Sequence, residues 1–355
     1  MDRKCLRVNL QSLGVNVPET LIGRKGGAGP SEGQVIILND QYVSVPTSSW
    51  YVKKSPYHIV KKGDAFVLTE NDHEVVDVLF PFIPKYYNLN TSAGIALEKI
   101  ALIHGKDCLA STVYQDCYYF DQGCSCSFCG IGLSLKDNKT IKEKKPEDLG
   151  FAALKAKQLD TVSHVTLTMG NRLTPDKGIN HLLDCVRSIK ETASLPVHVQ
   201  ICPTEDIQVY EIIKKAGADT IGIHVESCTE AVLEKIAPAK AKLGMGYYIN
   251  AWQKAVLVFG RNQVSSFLIA GIGDDVKGIV EGAKLMAEIG VYPYVLPLRP
   301  VPGTQLEKYQ PPSPAEMFDI YEKVAEIIMH NNLSSKKSKA GCVRCGACSA
   351  ITQFA

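Results

Sequence analysis

Ser163-His164-Val-Thr-Leu-Thr168-Met169, then Lys177-Gly-Ile-Asn-His-Leu-Leu-Asp-Cys-Val-Arg-Ser-Ile-Lys-Glu-Thr192, then Pro196-Val-His-Val-Gln-Ile201 reads as strand, helix, strand. The outer runs are short and rich in apolar and β-branched residues, and the middle run has helical periodicity. Two strands joined by a helical crossover lie parallel in one sheet. The alternation extends in both directions. Candidate strands occupy 111–115, 164–169, 196–201, 220–225, 264–270 and 291–296. Helical patterns separate them at 146–158, 177–192, 205–216, 229–237 with 248–259, and 274–289. Ala216-Gly217-Ala218 stops one helix before a strand. Six such units predict an α/β fold, a partial (β/α)6 TIM-like barrel, and the sequence does not supply the eight of a closed one.

The flanks differ. Residues 1–110 predict a β-rich extension with short strands at 34–38, 42–45, 65–68 and 75–80, separated by the turn signals Asn39-Asp40 and Lys62-Gly63-Asp64. Arg24-Lys-Gly-Gly-Ala-Gly-Pro-Ser31 is rich in glycine, yet no Gly-Lys-Ser/Thr follows, so it is not a Walker loop and predicts an ordered surface or substrate-facing loop. Ile95, Leu97, Ile100 and Ala101 carry helical spacing and predict a lead-in helix over 91–105. The barrel is expected over 111–312. A final helix over 313–330 and the polar linker Ser334-Ser-Lys-Lys-Ser-Lys339 then lead to a C-terminal tail, giving a third region, 313–355.

The chain has 355 residues and a formal net charge of +2, with both signs interspersed. Nothing there points to a nucleic-acid or membrane partner. No run approaches 18 consecutive apolar residues, and Met1-Asp-Arg-Lys-Cys-Leu6 lacks an apolar signal region, so a cytoplasmic protein is expected. Twelve cysteines in such a chain read as metal or redox ligands rather than a disulfide framework.

Two cysteine-rich segments stand out, one with four cysteines and one with three. The first is Cys117-Tyr-Tyr-Phe-Asp-Gln-Gly-Cys124-Ser-Cys126-Ser-Phe-Cys129, and the second is Cys342-Val-Arg-Cys345-Gly-Ala-Cys348. A cubane iron–sulfur cluster held by three thiolates keeps one iron open for a further ligand. Cys117, Cys126 and Cys129 are the expected ligands of the first cluster, following the first barrel strand, with Cys124 as the alternative to Cys117. Zinc, with Cys124 as fourth ligand, is the competing assignment. Cys342-x2-Cys345-x2-Cys348 is too tight for a zinc ribbon and suits a second cubane. Its fourth ligand stays open among Cys5, Cys108, Cys124, Ser349, substrate and a bridging sulfide, and Arg344 is a candidate for neutralising its charge.

Cys126-Ser-Phe128-Cys129, with an aromatic residue before the last cysteine, resembles the radical S-adenosylmethionine (SAM) superfamily, although the spacing Cys-x8-Cys-x2-Cys departs from the usual one. Other strand ends add to the resemblance. Met169-Gly170-Asn171 is similar to a segment that contacts the SAM amino group. Glu226 stands where a carboxylate can accept hydrogen bonds from a ribose or pair with a nearby Lys or Arg, and Phe267-Leu-Ile269-Ala-Gly271 is similar to a segment that packs on adenine. Arg299, after the sixth strand, is expected to hold a carboxylate. The resemblance implies [4Fe-4S] clusters, SAM, and a carbon radical able to take hydrogen from an unactivated C–H bond.

Longer stretches, among them Phe259-Gly-Arg-Asn-Gln-Val264 and Leu298-Arg-Pro-Val-Pro-Gly303, resemble a biotin-synthase-like subgroup that includes a subunit of two-protein lipoyl synthases of archaea and some bacteria. That resemblance implies insertion of sulfur from the second cluster into an octanoyl-lysine of a carrier protein, at C6. It also implies a second radical SAM subunit and an electron donor such as ferredoxin. The alternative is a radical enzyme of small molecules whose second cluster relays electrons, and a third is a metal scaffold without enzymatic activity.

Overall fold

The computed structural model describes residues 2–18, 21 and 33–355, so the glycine-rich segment 24–31 lies outside the described residues. Helix α1 (Arg3–Leu13) starts at Asp2, whose carboxylate accepts the Lys4 N–H. Strands β1 (Gln34–Leu38) and β2 (Gln41–Val45) form one antiparallel hairpin. β3 (Tyr57–Lys62), β4 (Ala65–Glu70) and β5 (His73–Val78) form a three-stranded antiparallel sheet. Two hairpins turn through pairs of left-handed residues, Asn39-Asp40 (φ 47° and 65°) and Asn71-Asp72 (φ 48° and 68°), as two-residue hairpins of this twist require. The sequence reading misses β3. Only Tyr57 and Ile59 on it are buried, and Lys61-Lys62 breaks its apolar alternation.

The lead-in helix expected over 91–105 is absent. The chain instead makes 3-10 turns at Lys85–Asn88 and Leu97–Lys99 and then the edge strand β6 (Leu102–His104). Leu97 and Ile100 are both buried. Residues three apart eclipse in a 3-10 turn, so one such turn buries the pair that reads as a helix face.

Among the described residues the main sheet has seven strands in the order β12-β11-β10-β9-β8-β7-β6. β6 is antiparallel to β7 (Cys108–Thr112). β8 (His164–Thr168), β9 (Val197–Gln200), β10 (Thr220–Gly222), β11 (Val264–Ala270) and β12 (Val291–Pro297) follow, each parallel to its predecessor. The first parallel strand lies three residues before its expected place. The crossovers contain α2 (Leu133–Lys136), α3 (Pro146–Asp160), α4 (Ile179–Ala193), α5 (Ile207–Lys215), α6 (Glu230–Ile236), α7 (Pro238–Ala241), α8 (Gly244–Phe259) and α9 (Val276–Ile289). The result is an α/β partial TIM barrel, as expected. α10 (Pro314–His330) begins with Ser313 accepting the Glu316 N–H, and the tail carries the short helix α11 (Cys342–Cys345) and a last 3-10 turn at Ile351–Gln353.

The helices cover the outer face of the sheet. Trp252, Tyr210 and Tyr248 are fully buried there, and the Trp252 indole donates to the Ile223 carbonyl at 3.0 Å. The inner face reads in steps of two: Cys108, Ala110 and Thr112 on β7, Thr166 and Thr168 on β8, then Phe267 and Ile269 on β11. Alternate residues of a strand point to the same face, so these side chains line one lumen.

Candidate functional site

The lumen is a cavity of about 410 Å3. Its lining includes Gln115, Phe128, Cys129, Glu226, Ile269, Leu298 and Arg299 at the C-terminal ends of the strands. It also includes His104, Cys108, Cys342, Cys345, Ala347 and Cys348 at the other end. One chamber therefore has a cysteine of the first group at its mouth and the whole second group at its base. Along β7 alone, from Cys108 to Thr112, the two ends stand about 13 Å apart at roughly 3.3 Å per residue.

At the mouth, β7 runs into a loop closed at its stem. Gln115 N–H donates to Lys142 O at 2.7 Å, and Lys144 N–H donates to Val113 O at 3.0 Å. The loop between carries all four cysteines of the first group. Cys129 N–H donates to Cys126 O at 3.0 Å, which makes the last two cysteines a tight turn. Cys117 follows β7 by five residues, and Asp116, tied to Lys142 at 2.7 Å, accepts its N–H at 2.8 Å. Burial pushes the Cys129 thiol up to about 11, with the charges of Cys117 and Glu226 adding to the rise and Lys240 opposing it. Burial also pushes up Cys126, again opposed by Lys240, and Cys117, opposed by the N–H groups of Tyr119 and Asn171. Metal binding removes the protons that such thiols otherwise hold.

Phe128, Ile269 and Leu298 meet in one apolar cluster with Ile236, Ile272 and Leu306. Glu226 extends β10 by a bridge to β11, with Glu226 N–H donating to Phe267 O at 3.0 Å and Ile269 N–H to Glu226 O at 2.9 Å. It is a buried, non-glycine residue at φ 69°. Its carboxylate pairs with Lys240 of α7, whose ammonium also donates to His224 O at 2.7 Å. Burial pulls the Lys240 pKa down, and Glu226 more than offsets that, so the ammonium stays charged. The sequence reading offers a ribose contact or a cationic partner for Glu226. The structure gives it the partner while leaving it on the chamber wall.

Other expected contacts lie elsewhere. Gly170 sits where a Cβ would meet Asp116 O at 1.7 Å, so β8 can end against the cysteine loop only with glycine there. Asn171 donates to Cys202 Sγ at 2.9 Å and to Cys117. Met169 reaches toward Gly178, and Gly271 (φ +94°) faces Pro312. Met169, Gly170, Asn171 and Gly271 are not among the residues lining the chamber. Arg299 is on the wall, but its guanidinium donates to Ser44 Oγ at 2.9 Å and Ser44 O at 2.6 Å, which fastens β2 to the barrel.

The base is built by the tail. Gly341 N–H donates to His164 Nδ1 at 3.2 Å, under the start of β8, and a Cβ on Gly341 would meet the His198 ring at 2.5 Å. The N-terminal region holds the cysteine loop from the other side. Arg7 donates to Ser349 O at 2.9 Å and to Gly346 O, Gln11 donates to Ala347 O at 3.0 Å, and Ser44 N–H donates to Ala347 O at 2.9 Å. Arg7 is buried, and Cys345 and Cys348 are among the groups whose charge acts on it. Arg344, the cation expected from sequence, points outward to Lys339 O at 2.8 Å and Ser163 Oγ at 3.2 Å. The sequence carries no local signal for Arg7, because 335 residues separate it from Cys342. Among the described residues, no three His, Cys, Asp or Glu side chains converge as ligands of one ion.

The family model of the radical SAM superfamily matches residues 120–285. That segment belongs to the radical SAM superfamily. Membership implies a [4Fe-4S] cluster and SAM. The matched segment holds Cys126, Phe128, Cys129, Glu226 and Ile269, while Cys117 lies just before it and the tail well beyond. The chain is 27% identical over 135 residues to a bacteriochlorophyllide c C-7(1)-hydroxylase of Chlorobaculum limnaeum, a match spanning 38% of this chain and a third (33%) of that relative. Among solved structures it is similar to methylornithine synthase (TM-score 0.49, 18% identity, 63% of this chain and 62% of that one). It is also similar to a radical SAM methyltransferase from Sphaerobacter thermophilus (TM-score 0.48, 15% identity, 79% and 76%). No helix among the described residues is long and apolar enough to cross a membrane.

The mouth fits the group that membership implies. It offers Cys126 and Cys129 in one tight turn with Cys117 near enough to act on Cys129, an apolar wall of Phe128, Ile269 and Leu298, and a charged pair, Glu226–Lys240, beside Cys126 and Cys129.

Proposed function

We propose that this radical SAM enzyme inserts sulfur from a second [4Fe-4S] cluster, at the base of the barrel, into an unactivated C–H bond. One observation carries the reading: a single chamber is bordered by Cys129 at one end and by Cys342, Cys345 and Cys348 at the other. A substrate carbon held between them is within reach of both sites.

SAM at a reduced cluster supplies a primary carbon radical able to take hydrogen from such a bond. The residues of this chain do the rest. Cys117, Cys126 and Cys129 bind the mouth cluster. Phe128, Ile269 and Leu298 give the adenine an apolar wall. Glu226, held by Lys240, accepts ribose hydroxyls. Thr112, Thr166, Thr168 and Phe267 shape the lumen and exclude water from the substrate carbon. Cys342, Cys345 and Cys348 bind the sulfur-donating cluster, with Arg7 beside them as counter-charge.

The substrate is an octanoyl chain on a lysine of a lipoyl carrier protein or domain, attacked first at C6, and a second radical SAM subunit completes the pair. This part rests on the motif resemblance, since no relative named above is a lipoyl synthase. An apolar wall suits an aliphatic chain, and the exposed Leu79, Phe82 and Ile83 offer a surface to a carrier. A ferredoxin-type donor and a reducing cytoplasm complete the setting. A second reading, C–H functionalisation of a small molecule with the base cluster as electron relay, is favoured by the hydroxylase relative.

The test is anaerobic incubation of the iron-loaded protein with SAM, dithionite and an octanoyl-lysine carrier. The expected result is 5′-deoxyadenosine together with carrier that has gained one sulfur, in step with loss of sulfide from the base cluster. 5′-Deoxyadenosine without sulfur transfer to any octanoyl carrier selects the second reading.

A further inference from the structure

The base of the chamber holds four cysteines rather than three. Cys108 is the first residue of β7, is buried, and borders the chamber together with Cys342, Cys345 and Cys348. Its Sγ lies 3.3 Å from Thr166 Oγ1, and Cys345 is the neighbour that acts most strongly on its thiol. The approach is built into the backbone. Gly105, at φ +58° in the β6–β7 turn, would put a Cβ 2.6 Å from Cys345 Sγ and 3.0 Å from Ala347 Cβ. Any larger residue there would push the tail away from β7.

The other candidates for a fourth ligand are engaged elsewhere. Ser349 Oγ donates to Val295 O at 2.5 Å and lies 3.4 Å from the Tyr321 hydroxyl. Cys5 Sγ is 4.0 Å from an Asp2 carboxylate oxygen at the start of α1. Cys124 is on the mouth loop, where its N–H donates to Tyr119 O at 3.0 Å.

We propose that Cys108 is the fourth thiolate of the base iron–sulfur site, so that the cluster bridges the first parallel strand and the C-terminal tail. The proposal rests on the reading that Cys342, Cys345 and Cys348 hold a cluster. Four thiols lose their protons as iron binds, and every iron is then held by the protein. The substrate meets sulfide, not an open iron. The cluster also pins the tail under the barrel, which places its formation in the folding of the chamber floor.

The test uses the full chain with Cys117, Cys126 and Cys129 replaced by serine, which leaves only the base site. After anaerobic reconstitution with iron and sulfide, this parent is expected to bind about four irons. Adding Cys108→Ala is expected to lower that to about three or fewer and to abolish the parent's EPR spectrum in the reduced state. Cys108→Ser is expected to keep iron with an altered spectrum, since a hydroxyl oxygen replaces sulfur. Independently of any variant, Cys108 in the loaded parent should resist iodoacetamide under mild denaturation until the iron is chelated. Unchanged iron and spectra in both Cys108 variants, or alkylation of Cys108 in the loaded parent, overturns the proposal. A parent that binds no iron overturns the three-cysteine reading beneath it, a distinct outcome.

Discussion

Replacing Lys240 with methionine leaves a buried carboxylate without its partner. The Glu226 side chain is 7% exposed and that of Lys240 18%, so both are largely out of water. Methionine keeps most of the aliphatic stem, and the loss is therefore electrostatic. Removing one member of a buried pair costs about 3–5 kcal/mol. The sign with pH follows from burial, which pushes the Glu226 carboxyl up, with Lys240 opposing. Without Lys240 that rise is unopposed. The native state of the variant then binds a proton that the unfolded state releases, so its stability falls as pH rises through the raised carboxyl value. The deficit is larger at pH 8 than at pH 5. Lys240→Met/Glu226→Gln removes the charge altogether and should recover at least 2 kcal/mol relative to Lys240→Met, a coupling seen as non-additivity in a double-mutant cycle. Anaerobic urea unfolding of the cluster-loaded proteins, followed by far-UV circular dichroism, measures it. A single variant within about 0.5 kcal/mol of the parent, or a double variant equal to the sum of the singles, refutes the reasoning.

Gly170→Ala forces a Cβ against the Asp116 carbonyl, and the cysteine loop must shift; a loss of roughly 1–3 kcal/mol and depletion of iron from the mouth site are expected by urea unfolding and iron analysis. Lys144 is buried, with its ammonium 3.1 Å from Gln115 Oε1 and 2.8 Å from Ile141 O, and burial lowers its pKa to about 7. The unfolded chain therefore binds more protons above that value, so stability rises with pH between about 7 and 10, by at most roughly 5 kcal/mol; Lys144→Met should flatten that slope, and parallel slopes would contradict it. Arg7→Met removes the donors to Gly346 and Ser349 carbonyls, and iron should be lost from the base site while the mouth site keeps its own, as read by EPR in the reduced state. Phe82→Ser/Ile83→Ser, at residues 97% and 82% exposed, should weaken binding of an octanoylated carrier at least several-fold in calorimetry and leave SAM cleavage unchanged.

The parallel strands were legible because each is a short apolar run whose helix carries its own periodicity, as in 164–201. The mouth loop was legible for a similar reason, since its cysteines are neighbours in sequence. The base was only half legible. Cys342, Cys345 and Cys348 announce themselves by spacing, but the residues that complete the floor come from distant segments, Arg7 and Gln11 on α1, Ser44 on β2 and Cys108 on β7. No periodicity links them. Arg299 shows how a strand-end position misleads: it follows β12 at the mouth, yet its guanidinium is satisfied by Ser44. Leu97 and Ile100 mislead differently, because spacing by three suits a 3-10 turn as well as a helix.

Iron counting on anaerobically reconstituted protein tests the two-centred chamber most directly. About eight irons per chain are expected, falling to about four when Cys117, Cys126 and Cys129 are replaced and to about four when Cys342, Cys345 and Cys348 are replaced. About four irons in the parent, undiminished by loss of the tail cysteines, would contradict it.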